Sequence, residues 1–387
     1  MSHRPENIHL DNWRESPYNH WALHHVRELI PTANIRSNSS NISALSRTGS
    51  PLSDMTFEGV AGQPQPLEAV LSETWTDALC VMQGDSIVHE WYAPHYDGVE
   101  PHILFSVSKS VTGALAGVLV EGGRLAVDEA VTTYIPEAAG SGFGDCSVQQ
   151  VLDMQAGLDF TEIYTGGNAQ FHRYRAATGW NYPAPGELPG DLRSFLVSIG
   201  HSGTPHGHTH LYMSPNSDML GLILESASGE RFSDLVSRHF WQPMGAEADA
   251  YVTVDPKGAP RAAGGICVRP RDLARFGRTM CNGGRFNGKQ IVPERWVEDC
   301  LTAGSREAWQ RGDMIELVPH GKYRNQWYQT GNASGTFFAL GIHGQWIYGD
   351  PAAEVVIIKF SSQPDPFNDA LNVLNLRLFS SITQALM

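Results

Sequence analysis

The sequence predicts an α+β protein, in which an antiparallel sheet flanked by helices is interrupted by an inserted, mostly helical domain. Two apolar runs around a Gly-Asp pair predict a β-hairpin over residues 78–93. Apolar runs over residues 337–350 and 353–362 predict further strands of the same sheet. The segments between these ends have helical periodicity and long loops, so we expect the chain to leave the sheet domain and return to it.

This order of elements predicts two domains, one of them discontinuous. Residues 1–125 and 250–387 are expected to form the sheet domain and residues 126–249 the helical domain, with the active site in the cleft between them. A length of 387 residues suits this division, because single hydrophobic cores stop growing at roughly 250–300 residues. Residues 1–55 are polar and loop-like, end in a Ser/Asn-rich stretch, and are expected to wrap around the surface.

Six segments have apolar residues at helical spacing and predict α-helices. The first of them, residues 106–121, is followed by a Gly-Gly pair, which ends a helix. The other five are residues 148–157, 216–229, 232–245, 270–284 and 369–386.

Composition and charge exclude several classes of function. Hydrophobic residues make up 41% of the chain and charged residues 18%, which excludes wholesale disorder. The formal net charge of -14 argues against nucleic acid as a partner, because binding phosphates requires clustered cations. An acidic field also mildly favours a neutral or cationic ligand over an anionic one. There is no P-loop and no dinucleotide-binding glycine motif, so no cofactor is expected.

Cysteine content and hydropathy predict the cellular compartment of the protein. The five cysteines are odd in number and include no CxxC pair, which predicts free and mostly buried thiols. The N-terminal residues include no apolar leader, and no run of about 20 apolar residues occurs. A cytoplasmic protein without a membrane partner is therefore expected.

The start of the first predicted helix has the residues needed for nucleophilic catalysis. Ser106 and Lys109 lie three positions apart, so their side chains share one helix face. A serine hydroxyl needs a base to remove its proton, and a buried lysine can serve because burial favours the neutral amine. The N–H of Ser106 is also free at a helix start and can donate to an oxyanion. The spacing alone is equally consistent with a capped helix start and a surface lysine.

Two later segments could complete such a site. Tyr212 precedes the helix over residues 216–229, where a phenol could pass a proton to a leaving group, although a core tyrosine at a loop–helix junction is the more common case. Gly341-Ile342-His343-Gly344 lies in a late strand whose glycines allow close approach to the backbone. The Ile342 N–H could be a second oxyanion donor.

A competing hypothesis is a zinc hydrolase that uses His201, His206, His208 and His210. No Asp or Glu accompanies these histidines and no HExxH motif occurs, so a polar loop beside the cleft is the simpler interpretation and no metal is expected. The absence of GxSxG argues against an α/β-hydrolase nucleophile.

Longer stretches around these residues resemble the serine β-lactamase and penicillin-binding-protein superfamily, in particular its class C and family VIII carboxylesterase type. Within it, the likeness extends to the nylon-oligomer hydrolases that act on the 6-aminohexanoate dimer. The resemblance runs from about Asp11 to the C-terminus. The segments that resemble the family are FSVSKSVTGALAGVLVEGGRL, VLDMQAGLDFTEIY, RPRDLARFGRTMCNGG, GIHGQWIYGDP and KFSSQPDP.

The resemblance implies a role for each candidate residue. Ser106 would be acylated, Lys109 would be its base, and Tyr212 would relay a proton to the leaving group. The backbone N–H groups of Ser106 and Ile342 would form the oxyanion hole. The positions implied to bind substrate are Tyr164, Trp180, Ser214, Gly341 and His343.

Departures from the family pattern affect the expected substrate. Ser214 replaces the Asn of the YxN motif, and Ala339-Leu340-Gly341 replaces KTG, whose lysine would pair with a β-lactam carboxylate. Arg175 and Phe367 stand near positions where amide-active relatives have acids. We therefore expect a serine hydrolase for short-chain esters, small linear amides or both. The alternative is a catalytically weak, penicillin-recognising protein. The partner would be a small-molecule substrate, with homodimerisation left open.

Overall fold

The computed structural model describes residues 4–49, 51–164 and 168–387. The strands are β1 Thr32–Ile35, β2 Ser46–Arg47, β3 Thr56–Glu58, β4 Pro64–Pro66, β5 Thr76–Gln83, β6 Ser86–Tyr92, β7 His102–Ile103, β8 Ala250–Thr253, β9 Ile266–Val268, β10 Arg285–Phe286, β11 Lys289–Gln290, β12 Lys322–Arg324, β13 Trp327–Gln329, β14 Phe337–Gly341, β15 Gln345–Asp350 and β16 Val355–Ser361.

The α-helices are α1 Asn19–Ala22, α2 Leu67–Glu73, α3 Ser108–Glu121, α4 Val131–Tyr134, α5 Val148–Leu152, α6 Ala169–Ala177, α7 Leu192–Val197, α8 Ser214–Ser228, α9 Phe232–Val236, α10 Gln242–Met244, α11 Pro270–Cys281, α12 Glu294–Thr302, α13 Arg306–Gln310 and α14 Asp369–Ala385. Short 3-10 turns occur at Val26–Glu28, Ser39–Asn41, Pro51–Asp54, Phe105–Val107 and Pro136–Gly140, and a π turn at Ser237–Trp241 joins α9 to α10.

An eight-stranded sheet joins the two ends of the chain, in the order β12-β13-β14-β15-β16-β5-β6-β2. All pairings are antiparallel except that of β2 with β6. The predicted hairpin is confirmed as β5 and β6, and β16 pairs directly with β5, so the late strands extend the sheet that the early hairpin begins. A smaller four-stranded sheet has the order β1-β8-β9-β7.

Both faces of the large sheet are covered by helices. Along β5, Ala78, Cys80 and Met82 pack into the core that contains helix α11, whereas Leu79 and Val81 pack into the core that contains α14. This alternation follows from the two-residue period of a strand. Helices and sheet therefore form the α+β architecture that the sequence predicts.

Residues 126–249 contain helices α4 to α10, and the structure assigns no strand to the described part of this range. The central helix is α8, which packs against both α3 and α5. The division of the chain into two domains stays a prediction.

Most predicted helices are confirmed, but the one expected over residues 148–157 is wrong in length. It ends at Leu152, since Met154 turns into the left-handed region with a φ of +55°.

The N-terminal segment differs from the expected surface wrap. Up to residue 35 it contributes to the core, where Trp13, Leu23 and Val26 are fully buried, and β1 pairs with β8. The Trp13 indole donates to the Trp180 carbonyl at 3.1 Å. From residue 36 to residue 49 the chain is exposed or half-buried. Scattered apolar residues in a polar segment are enough to anchor it, because each one inserts into a site formed by other elements.

The five cysteines are all free and buried, as predicted. None of the helices that the structure describes is both long enough and apolar enough to cross a lipid bilayer.

Candidate active site

The turn before helix α3 presents Ser106 to a cavity. Ser106 is the middle residue of the 3-10 turn Phe105–Val107. Phe105 has a φ of +43°, a conformation that is unfavourable for a residue with a side chain. Its ring packs against Trp13 and Trp180, at centroid distances of 6.1 and 5.8 Å. Packing of this ring therefore maintains a strained backbone immediately before the candidate nucleophile.

Lys109 follows Ser106 by one helical turn and is only 2% exposed. Its Nζ is 2.9 Å from Ser106 Oγ, 3.0 Å from Ser214 Oγ and 2.8 Å from the carbonyl oxygen of Ala263. The Ala263 carbonyl oxygen can only accept a hydrogen bond, and Ser214 Oγ donates its own proton to Glu162. Lys109 Nζ therefore donates one hydrogen to each of these two oxygens. A neutral amine has two hydrogens and one lone pair. These two bonds therefore leave the lone pair for the Ser106 hydroxyl.

The surroundings of Lys109 favour this neutral form. Burial lowers the pKa of Lys109 to about 7, because the ammonium ion loses its hydration. Repulsion from the Arg261 guanidinium contributes to this lowering, and the carboxylates of Glu162 and Asp218 oppose it. A substantial fraction of the amine is unprotonated near neutral pH, as a general base requires.

Glu162 organises one side of the site. Its carboxylate accepts hydrogen bonds from the backbone N–H of Ser214 at 2.5 Å, from Ser214 Oγ at 2.8 Å, and from the Tyr164 hydroxyl. These bonds fix the direction of the Ser214 proton and so leave Ser214 Oγ free to accept from Lys109. Ser214 and Tyr164, both predicted to bind substrate, are thus also partners of Glu162.

Tyr212 lies over Lys109, whose Nζ is 4.9 Å from the centre of the tyrosine ring. Burial and the Glu162 carboxylate raise the pKa of Tyr212 well above its usual value, while a side-chain hydrogen bond with Ser106 lowers it. The phenol is therefore protonated at neutral pH, in contact with the candidate nucleophile, and able to donate.

Strand β14 ends directly beside the Ser106 turn. A Cβ atom added to Gly341 would lie 2.5 Å from the Leu104 carbonyl oxygen and 3.1 Å from the Ser106 nitrogen, so glycine is required here. The sequence attributed this glycine to approach of a substrate, but the close neighbour is the turn itself. The adjacent residue, Ile342, lines the cavity together with Ser106, and its role as a second oxyanion donor stays a prediction.

His343 follows with a φ of +59° and is tied to the chain on the far side of the cavity. Its backbone N–H donates to Pro366 O at 2.9 Å, and its Nδ1 lies 2.7 Å from Gln363 O. Burial lowers the pKa of His343 to about 4, so the ring is neutral near pH 7. It lines the cavity and holds the strand end in place.

Two cavities meet at Ser106. The larger has a volume of about 530 Å³, and its walls include Trp180, Tyr164, Phe171 and His343. The smaller, about 40 Å³, is lined mainly by the apolar or aromatic side chains of Tyr212, Met314, Tyr328, Leu340 and Phe367. The larger cavity therefore has the volume of a ligand pocket, whereas the smaller one has room only for a small apolar group beside Ser106.

Asp218 and Arg261 support the floor of the site. Asp218 accepts from the Ala263 N–H at 2.8 Å and pairs with Arg261, which also donates to the Tyr174 hydroxyl at 2.6 Å. This network anchors Ala263, the residue whose carbonyl accepts from Lys109, through its backbone N–H. It was missed from the sequence, although a buried acid within the apolar helix α8 is a usable signal.

The ligand atoms of the histidines at residues 201–210 do not converge on one point. His206 binds the Gly157 N–H at 2.8 Å and Asp145 at 3.1 Å, and His210 packs between Trp309 and Tyr323. In the part of the chain that the structure describes, the one cluster with converging ligand atoms is His20, Asp77 and His95. The zinc-hydrolase hypothesis therefore has no geometric basis.

Comparisons with known proteins agree with this architecture. Residues 67–378 match the β-lactamase family. The chain is 36% identical over 378 residues to the 6-aminohexanoate-dimer hydrolase of Paenarthrobacter ureafaciens, covering 97% of this chain and 94% of the relative. A structure from Bacillus anthracis, assigned provisionally as a 6-aminohexanoate-dimer hydrolase, superposes with a TM-score of 0.89 at 28% identity, over 99% of this chain and 98% of that one.

A class C β-lactamase in complex with cefoxitin is similar in fold, with a TM-score of 0.59 at 15% identity over 81% of this chain and 96% of that one. The family match spans most of the chain, and the resemblance stated from the sequence is confirmed. This chain belongs to the β-lactamase family and is a hydrolase of that superfamily.

Proposed function

We propose that this chain is a serine hydrolase that cleaves short-chain carboxylic esters, small linear amides or both through an acyl intermediate on Ser106. The observation that supports this most strongly is the hydrogen bonding of Lys109. Two of its three contacts use its hydrogens, so the lone pair of the neutral amine faces the Ser106 hydroxyl at 2.9 Å.

In the first half-reaction, Lys109 takes the hydroxyl proton while Ser106 Oγ attacks the carbonyl carbon of the substrate. The N–H groups of Ser106 and Ile342 receive the developing oxyanion. The proton on Lys109 then reaches the leaving alcohol or amine through Tyr212, whose phenol stays protonated at neutral pH. The bond from the carbonyl carbon to the leaving group breaks, and acyl-Ser106 remains.

In the second half-reaction, water attacks the acyl carbon. The Lys109 and Tyr212 pair removes a proton from this water, and Ser106 recovers its proton as the acid leaves. Both halves use the same groups in opposite directions, so no metal or cofactor is needed.

Both substrate classes have support. The relative from Paenarthrobacter ureafaciens is named for a linear amide, the 6-aminohexanoate dimer. Esters are chemically easier, since an alkoxide or phenolate leaves with less need of a proton than an amine does. The aromatic lining of the smaller cavity around Tyr212 suits an apolar leaving group.

Covalent labelling tests the proposal directly. The intact protein should gain the mass of a fluorophosphonate adduct, located at Ser106 by peptide mapping, and should turn over a short-chain p-nitrophenyl ester. Ser106→Ala should lose the adduct and essentially all turnover, whereas Ser108→Ala should keep the adduct at Ser106. Full ester turnover by a folded Ser106→Ala variant would contradict the proposal. Wild-type protein with neither burst nor turnover would favour the penicillin-recognising alternative.

A further inference from the structure

Two arginines face the larger cavity without a carboxylate partner. Arg14 donates to Asn181 Oδ1 at 2.6 Å and lies over the Trp13 ring, 4.9 Å from its centre. Arg175 lies 4.7 Å from the centre of the Phe171 ring, and its buried Nε has no hydrogen-bond acceptor. Within the described ranges, neither guanidinium forms an ion pair. This differs from Arg261, which is paired with Asp218.

The acidic residues around this cavity are either exposed to solvent or already hydrogen-bonded. Asp11 and Glu15 are exposed to solvent at its edge, where their charges are screened. Glu162 is occupied by Ser214 and Tyr164. Among the described residues, the enclosed part of the cavity wall therefore has two cations without a carboxylate partner, Arg14 and Arg175, against one anion whose donors are all neutral, Glu162. The excess is positive, although the whole chain has a formal net charge of -14.

The environment of Arg14 shows an uncompensated charge. Burial lowers the pKa of Arg14 to about 9, with a contribution from repulsion by Arg175 and Arg261 and against weaker attraction to Glu15 and Asp11. An anion bound between Arg14 and Arg175 would reduce this repulsion. A carboxylate suits both, since its two oxygens match the planar donors of guanidinium.

We propose that the larger cavity binds a carboxylate on the substrate through Arg14 and Arg175, so that preferred esters or amides have an anionic end. The inference rests on the proposed hydrolase function and names its substrate class. A volume of about 530 Å³ suits a short linear chain between this carboxylate and the bond cleaved at Ser106.

The test compares substrates that differ only in the charge of one end. One series has p-nitrophenol as leaving group and hexanoate, monoadipate or 6-aminohexanoate as acyl group. A second series has acetyl as acyl group and hexanol, 6-hydroxyhexanoate or 6-aminohexanol as leaving group. The wild-type kcat/KM should be about 10- to 100-fold higher for the anionic substrate than for the neutral one in at least one series. This preference should shrink as salt is raised.

Arg14→Gln and Arg175→Gln should each reduce the ratio of anionic to neutral kcat/KM by about tenfold, mainly through a higher KM for the anionic ester. Arg173→Gln is the matched control, since Arg173 is exposed on the same helix α6 and does not line this cavity, and it should keep the wild-type ratio. The wild-type preference and its salt dependence remain decisive if a variant does not fold.

The outcomes separate this inference from the function on which it rests. Equal rates for neutral and anionic substrates in both series would overturn the anion site and leave the serine hydrolase intact. A preference for the ammonium substrates would overturn it in favour of cation binding by Asp11 and Glu15. No turnover of any substrate by the wild-type protein would contradict the proposed function itself, and the inference with it.

Discussion

Two lysines in this fold have nearly the same environment, yet they are suited to different tasks. Lys109 and Lys359 are both buried, and burial lowers the pKa of each to about 7. Each also has a serine hydroxyl within hydrogen-bonding distance. Lys109 Nζ is 2.9 Å from Ser106 Oγ, and Lys359 Nζ is 2.6 Å from Ser361 Oγ. A low pKa and an adjacent serine therefore do not by themselves define an active site.

The difference lies in what surrounds the two serines. Ser361 is fully buried in β16, a strand with neighbours on both sides, so no substrate carbonyl can reach it. Ser106 follows a strained residue, lies beside the end of β14 and borders both cavities. A base and a hydroxyl become useful only where a reacting carbon and oxyanion donors fit next to them.

The largest expected effect is the difference in kcat/KM between the variants Lys109→Met and Lys359→Met. Lys109→Met should lower kcat/KM for a p-nitrophenyl ester by roughly 10²–10⁴-fold, the usual contribution of a general base. Lys359→Met should stay within a few-fold of wild type, because its serine is closed to substrate. Similar losses in both variants, measured with confirmed folding by circular dichroism, would show that the two lysines do not differ in this way.

Tyr212→Phe should have the next largest effect, and it should depend on the leaving group. An amine must be protonated to leave, so the amide rate should fall by roughly 10²-fold. A nitrophenolate leaves unassisted, so the corresponding ester rate should fall less, by roughly tenfold. Parallel kcat/KM measurements with a matched amide and ester check this, and equal losses would argue against a proton relay through the phenol.

Glu162→Gln should shift the pH dependence more than it lowers the rate. The Glu162 carboxylate raises the pKa of Lys109, so its removal lowers that pKa. Activity requires the neutral amine, and therefore the rising acidic limb of kcat/KM, expected near pH 7, should move to lower pH. The maximum rate should fall by about tenfold at most, from poorer orientation of Ser214. A limb that stays in place or moves upward would contradict this assignment.

The smallest expected effect is on stability. An unfolded lysine binds a proton up to about pH 10.4, whereas folded Lys359 releases it near pH 7. The unfolded state thus binds more protons between these values, and wild-type stability rises with pH across them. Lys359→Met should remove this pH dependence, so its gain in free energy of unfolding over wild type should be larger at pH 7 than at pH 9, by about 2 kcal/mol. Urea unfolding at both pH values measures the difference, and an equal gain at both would contradict it.

The sequence could identify candidates for the parts of the site that depend on local spacing. Ser106 lies in the 3-10 turn directly before α3 and Lys109 in the first turn of α3, so the three-residue interval is compatible with their contact, although the interval alone is equally compatible with a surface lysine. Glu162 and Arg14 could not be found in this way, since they reach the site from separate segments and their partners are set by tertiary packing. The left-handed backbone of Phe105 also has no sequence signal, because aromatic residues rarely adopt it without support from their neighbours.

The same limit applies to the fold. Hairpin β5–β6 and the late strands follow from their apolar runs, whereas the buried part of the N-terminal segment does not. Trp13 is one apolar residue in a polar stretch, and its burial depends on Phe105 and Trp180, which are far away in the sequence. Hydrophobic periodicity identifies the buried faces of long helices and strands, but it does not identify a single buried residue in a polar segment.

The close approach at Gly341 has a consequence for how this enzyme could change over evolutionary time. Because no side chain fits between β14 and the Leu104–Ser106 turn, the candidate nucleophile Ser106 and its neighbouring strand form one unit that tolerates little variation. The walls of the larger cavity come largely from other segments, including residues 11–16, 171–181 and 364–366. New substrate preferences can therefore arise by changes in these segments, while the Ser106 turn and the end of β14 are inherited unaltered.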